Sequence, residues 1–270
     1  MKSRPRLFAQ AIRTGDRLRR LRLRLAPGTP SRPSHALVAA FARERPRASF
    51  VQIGAHDGTQ LDPLRWAILA TDWHGVLVEP VPYVFERLRL RYGGCPRLQL
   101  ENVAVSTSDE PMSFFYVPET GDDVWNWYDA LGSFRRDVVL SHTEFIEDIA
   151  ERVEEMTVPC ATFDQVCDRN GLVTVDVVQV DTEGFDLTIL ESIDLDRYRP
   201  AIVMIEELHL SDDEKGRARQ LVTEHGYEWF ADGMDLVSVR SEVLRSSPAL
   251  RRQFDDAVEF HRSAQDDVTP

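Results

Sequence analysis

Short apolar runs recur along the chain at Phe50–Ile53, Gly75–Glu79, Leu98–Val105, Val175–Asp181 and Ala201–Glu206, with helix-like segments between them. This alternation predicts β-strands linked by crossover helices. "VDVVQVD" and "AIVMIEE" are almost wholly apolar, which fits central strands covered on both faces. Asp62 followed by Pro63 gives a start signal for the first of these helices. Ser211 with Glu214 has capping-box spacing for a later one that stops at Gly226. "YEWFADGMDLVSVR" reads as two strands turning at Asp232-Gly233. Right-handed crossovers then give an α/β fold, a doubly wound and mostly parallel sheet with an antiparallel hairpin at one edge.

In such a sheet, ligands bind beyond the carboxyl ends of the strands. Those ends are polar here: "GAHDG" after the first strand, Glu79-Pro80 after the second, Asn102 to Ser106 at the third, Asp181-Thr182-Glu183-Gly184 at the fourth, and Glu206-Glu207-Leu208-His209 at the fifth. Gly54 and Gly58 allow a tight turn and a close approach to the main chain, and Asp57 offers a carboxylate toward whatever approaches. Glu79 follows at the spacing of a carboxylate that accepts from both hydroxyls of a ribose. The pyrophosphate cradle G-x-G-x-x-G is absent, and a carboxylate at Asp57 suits a cation better than a phosphate. S-adenosylmethionine has the ribose and the positive sulfonium and lacks the phosphate. Sequence reading keeps two alternatives: a nicotinamide-dependent oxidoreductase on the same sheet, and a non-catalytic module that binds S-adenosylmethionine or a protein partner.

Composition narrows the class further. At 270 residues with 43% hydrophobic content, one main core is expected. The first 25 residues hold nine Lys and Arg against Asp16, a local balance of +8 that leaves −21 for the rest of a chain whose net charge is −13. So acidic a body disfavours nucleic acid. The basic arm is read as solvated, with an anionic membrane surface or an acidic protein as its candidate partner. "APGTPSRPS" reads as a linker, so residues 1–34 are an arm, 35–240 the main domain and 241–270 a helix and tail. No apolar run reaches the ~20 residues of a membrane span and no signal-peptide pattern appears, which points to the cytoplasm. Cys95, Cys160 and Cys167 form no C-x-x-C pair and are read as reduced thiols.

"VQIGAHDG", "GVLVEPVPYVFERL", "LENVAVS", "VPCATFDQV", "VVQVDTEGFDLTIL" and "PAIVMIEE" occur in the order and character of the FkbM-like S-adenosylmethionine-dependent methyltransferases. The resemblance covers roughly residues 48–208. It implies the class I methyltransferase fold, Rossmann-like and seven-stranded, and O-methylation of a sugar, polyketide or other secondary metabolite. Gln52 departs from it, standing where many class I enzymes carry an acid. Carried over by position, Gly54, Ala55, Asp57 and Gly58 line the methionine end of the cofactor. Glu79 with Pro80 meets the ribose, and Asn102, Ala104 and Val105 border the adenine.

Chemistry is expected at the fourth and fifth strand ends, where the protein must align a hydroxyl and remove its proton. Asp181, Glu183, His142 and His209 are the candidates for that role, Asp181 also bordering the cofactor. Asp181, Glu206 and Glu207 resemble the oxygen ligands that hold magnesium in catechol-type O-methyltransferases, so Mg²⁺ is a candidate second cofactor. Residues 118–156 are too long for a simple connection and read as an acceptor-binding lid, with Trp125, Trp127, Ser133 and His142 as contacts to a small-molecule or glycan acceptor. A homodimer is a further expectation.

Overall fold

A computed structural model describes residues 32–59, 62–118 and 131–266. Twelve strands are numbered in chain order: β1 Ser49–Ile53, β2 His74–Val78, β3 Leu98–Glu101, β4 Ala104–Val105, β5 Met112–Tyr116, β6 Gly132–Ser133, β7 Glu154–Val158, β8 Cys160–Ala161, β9 Val177–Val180, β10 Ile202–Glu206, β11 Tyr227–Asp232 and β12 Asp235–Arg240. Seven of them form the main sheet, in the order β11-β12-β10-β9-β1-β2-β3. The order reverses between β1 and β9, so the loops after these two strands diverge and leave a crevice, where doubly wound sheets bind ligands.

All five apolar runs become strands of this sheet. The central ones are buried along their length because helices cover both faces. One face packs Phe41, Phe50, Trp73, Leu77, Met204 and Phe254, and the other Val51, Val178, Phe163, Ile189, Tyr198 and Val222. Register is fixed where β1 and β9 begin. Asp176 Oδ2 accepts from the backbone N–H of Ser49 at 2.8 Å and from its hydroxyl at 3.0 Å. A slip of one residue would break both bonds and turn every side chain of β1 to the other face.

Two details differ from the sequence expectation. The hairpin contributes one antiparallel strand, since β12 runs antiparallel to β10 on one side and to β11 on the other. β11, at the edge, is therefore parallel to the rest of the sheet. The run Leu98–Val105 breaks at Asn102, after which β4 leaves to pair with β8 in a separate small sheet. Helix Pro248–Asp266, in the segment read as a helix and tail, puts Leu250, Phe254 and Ala257 into the same cluster as Leu37 and Phe41 of helix Pro33–Glu44. Of the two helix-start signals, Asp62-Pro63 falls just ahead of its helix, which runs Arg65–Ala70 with Leu64 as N-cap while Asp62 Oδ1 accepts from the Leu64 and Arg65 N–H groups; the other forms as expected. Ser211 and Glu214 close a capping box on helix Asp212–Glu224, and Gly226 follows it at φ +80. β5, just before the insertion, pairs with β6 inside it and with β7 at its end. Trp125 and Trp127 lie outside the described residues. Among the described residues no helix is long and apolar enough to cross a membrane.

Candidate active site

A cavity of about 690 Å³ opens over the carboxyl ends of β2, β1, β9 and β10. Glu79 sits at one end and is 6% exposed. Its Oε2 accepts from the backbone N–H of His56 at 3.0 Å and its Oε1 from that of Val81 at 2.9 Å. Both oxygens are thus held in position and keep lone pairs for a ligand. Pro80, Ala104, Val105 and Phe114 continue the wall as an apolar surface wide enough for a flat ring.

Both glycines of the first loop adopt the positive φ of the expected tight turn, and Gly54 lines the cavity. Gly54 has φ +75, and a Cβ there would overlap the carbonyl oxygen of Asp181, so its missing side chain lets the loops after β1 and β9 touch. At Gly58, φ +72, a Cβ would overlap the ring of Tyr92. Neither Gly58 nor Asp57 lines the cavity. Asp57 turns away from it, accepting from the Thr59 backbone and hydroxyl and pairing with Arg91 at 3.3 Å. Burial alone would raise its pKa. The hydrogen bonds from His56 and Thr59, with the Arg91 guanidinium, outweigh burial and hold the carboxyl well below the usual range. Asp57 is therefore a loop clamp with its charge already matched.

Asn102 is likewise corrected. Its amide donates to the carbonyls of Glu79 and Pro80, at 2.8 and 2.9 Å, and braces the end of β2 from outside the cavity.

The opposite end of the cavity is acidic. Asp181, Glu183 and Glu206 bring one oxygen each within 4.8 Å of one another. Glu207 does not join them. Consecutive strand residues face opposite ways, and its two oxygens accept from Arg219 at 3.2 and 2.7 Å. The oxygens able to hold a divalent cation are thus those of Asp181, Glu183 and Glu206. Burial raises Asp181 well above the usual carboxyl range, and the charges of Glu183, Asp186 and Asp235 add to it. Glu206 is pushed up to about 12 by burial and then by Asp181 and Glu183. The protonated form of each is thus favoured in the metal-free protein.

That has a measurable result. The folded pKa of Glu206 lies above the ordinary glutamate value of 4.5, so its contribution to stability is complete below that pH and is lost as pH rises toward about 12. Stability of the metal-free protein should fall between about pH 5 and about pH 9, by at most ~1.4 kcal/mol per pH unit for this one proton. Glu206→Gln, neutral at every pH, should flatten the decline in urea-unfolding midpoints. Parallel declines in both proteins would contradict this electrostatic picture.

At the cavity mouth, Glu183 adopts φ +53, a conformation that non-glycine residues seldom take. Ser133 keeps it there. It is fully buried, its hydroxyl donates to the Glu183 carbonyl at 2.6 Å, and it accepts from the Arg135 N–H at 2.9 Å. Ser133 was expected to touch the acceptor and instead shapes the backbone of Glu183. The Glu183 carboxylate lies 2.9 Å from His209 Nε2, and the His209 ring meets His142 edge to face at 5.3 Å. His142 Nδ1 is 3.2 Å from the Val138 carbonyl. Asp186 opens helix Asp186–Ser192 and accepts from the backbone of Thr182 and Gly184, both at 3.0 Å, closing the turn that carries Glu183.

Several cavity residues had not been singled out for function. Gln52, Asp62, Gln179 and Thr182 all line it and, with Glu206, contribute buried side-chain oxygens that have no hydrogen-bond partner among the described residues. The available signal was the polar interruption of two central strands, two residues before Gly54 and two before Asp181.

Residues 52–229 match the family model of the methyltransferase FkbM domain. No curated protein matches the chain. Among solved structures, a methyltransferase FkbM from Methylobacillus flagellatus KT is 13% identical with a TM-score of 0.45, over 72% of this chain and 44% of that one. The chain thus spans less than half the length of that protein. A methyltransferase from Geobacter sulfurreducens is 12% identical with a TM-score of 0.41, over 89% and 91%. An O-methyltransferase from Bacillus cereus, in complex with SAH, is 10% identical with a TM-score of 0.38, over 87% and 91%.

Proposed function

Because the chain belongs to the FkbM methyltransferase family, we propose that it uses S-adenosylmethionine to methylate a hydroxyl group of a sugar, polyketide or other secondary-metabolite acceptor. The observation that carries this reading is Glu79. It is a buried carboxylate held by two backbone N–H groups, next to an apolar wall and across the cavity from a set of acids. A ribose diol, a purine and a cationic tail match those three surfaces in turn. A diphosphate would face carboxylates instead of the donors it needs, which disfavours the nicotinamide alternative. When bound, the cofactor supplies a methyl group already activated by its sulfonium.

The chain's own work is alignment and proton removal. Glu183 and His209 form the pair that takes the hydroxyl proton, with the His142 ring beside them and Ser133 holding Glu183 in its strained conformation. Asp181 and Glu206, whose carboxyls burial raises, line the site across from Glu79. Phe145 and Leu208, 69% and 47% exposed at the mouth, support an acceptor with an apolar face. Trp125 and Trp127 extend the same proposal to the insertion.

A second reading has one observation in its favour: the oxygens of Asp181, Glu183 and Glu206 are close enough to share a cation. Mg²⁺ there would return Asp181 and Glu206 to their charged forms and lower the pKa of the acceptor hydroxyl.

One assay separates these readings: release of S-adenosylhomocysteine in the presence of candidate acceptors. His209→Ala should lower turnover by roughly 10²- to 10⁴-fold while the affinity for S-adenosylhomocysteine stays the same. Unchanged turnover would remove the pair from the mechanism. Loss of activity in EDTA, restored by Mg²⁺, selects the metal, and full activity in EDTA excludes it. Binding without product for any hydroxylated acceptor would favour a non-catalytic module.

A further inference from the structure

Gln52 in β1 and Gln179 in β9 are register partners. Leu77 lies opposite Gln52 on its other side, and Met204 opposite Gln179. One row across an apolar sheet face therefore reads Leu, Gln, Gln, Met. Both glutamines are almost fully buried, at 2% and 6% exposure. The Gln52 amide donates to Asp62 Oδ1 at 3.0 Å, and the same oxygen accepts from the backbone N–H groups of Leu64 at 2.8 Å and Arg65 at 3.1 Å. This arrangement leaves Gln52 Oε1, Gln179 Oε1 and Asp62 Oδ2 buried, without partners among the described residues, on residues that all line the cavity.

Each unmet buried acceptor is costly. Three acceptors face the cavity, and burial raises the Asp62 carboxyl above its usual range, so the partner that meets the oxygens and favours the charged carboxylate is a cation carrying several N–H groups. A primary ammonium has three donors and no acceptor. We propose that Gln52, Gln179 and Asp62 form a seat for the α-ammonium group of the cofactor's amino-acid tail, with Asp62 supplying the carboxylate that Asp57 commits to Thr59 and Arg91. The proposal rests on the S-adenosylmethionine reading above. It also accounts for Gln52 occupying a position where an acid is expected. The acid has moved to the loop after β1, and Gln52 orients it.

Asp62→Asn tests this directly, because asparagine keeps the oxygen that serves Gln52, Leu64 and Arg65 and removes only the charge at Oδ2. Binding would be measured by calorimetry with two probes, S-adenosylhomocysteine and 5′-methylthioadenosine; the second has the nucleoside and thioether but no amino-acid tail. Asp62→Asn should weaken S-adenosylhomocysteine at least about tenfold and leave methylthioadenosine within about twofold of wild type. Gln179→Leu should show the same selectivity with a smaller loss. Retained methylthioadenosine binding reports an intact fold. Equal losses for both probes, or no loss in either variant, would overturn the seat. Wild-type protein that binds neither probe would overturn the cofactor reading and the seat with it.

Discussion

Glu79→Ala should abolish the heat of binding of S-adenosylhomocysteine to this protein. The carboxylate is immobile before any ligand arrives, because the backbone N–H groups of His56 and Val81 hold one oxygen each. It therefore meets a ribose diol without loss of side-chain freedom, which in a flexible glutamate would cancel part of the gain. Hydrogen bonds to a charged acceptor are worth ~1.5–3 kcal/mol each, so losing two lowers affinity by roughly three orders of magnitude. The truncation also takes the acceptor from the backbone N–H groups of Val81 and of His56, which sits at φ +48. Glu79→Gln controls for this, since it retains one acceptor and the side-chain volume, and should bind with intermediate affinity. A folded Glu79→Ala protein that binds within about threefold of wild type would contradict the assignment of this residue and reopen the choice of ligand.

The largest effect on stability is expected at Gly54. Alanine there must adopt φ +75 and must also displace the Asp181 carbonyl, a backbone atom at the exit of the neighbouring strand. The left-handed conformation alone costs an L-residue about 1–2 kcal/mol. An overlap that a side chain could relieve by rotating here needs two central strands to separate, and the total should exceed about 4 kcal/mol. Gly226 provides the comparison, because it has a similar φ of +80 and nothing within 4 Å of a built Cβ. Gly54→Ala should lower the urea midpoint far more than Gly226→Ala, or prevent accumulation of folded protein. Equal shifts for the two variants would show that the contact between the loops after β1 and β9 is not part of what holds the crevice together.

The sheet was legible from sequence because burial on both faces of a central strand leaves a run of Val, Ile and Leu that few other structures need. Glu79 was legible from its place at a strand end. What sequence could not supply was direction. Glu206 and Glu207 are chemically alike and adjacent, yet the pleat sends one into the cavity and the other to Arg219. Asp57 looked like a ligand-facing acid because Arg91, which neutralises it, lies in a helix 34 residues on. Asp62 looked like a helix cap, which one of its oxygens is, while the other faces the cavity. Ser133 stood out in a motif for the right region but the wrong reason: its hydroxyl acts on the backbone of Glu183, a contact spanning 50 residues.

Helix Pro248–Asp266 lies against helix Pro33–Glu44, and Ser247 Oγ donates to Glu44 Oε1 at 2.6 Å. As the chain emerges from the ribosome, that layer of the core stays open until helix Pro248–Asp266 is released. Leu37 and Phe41 thus wait for Leu250 and Phe254, which are made after every strand of the sheet. Premature termination after Ser247 leaves every candidate active-site residue translated and an apolar face uncovered, a product suited to chaperone capture and not to catalysis.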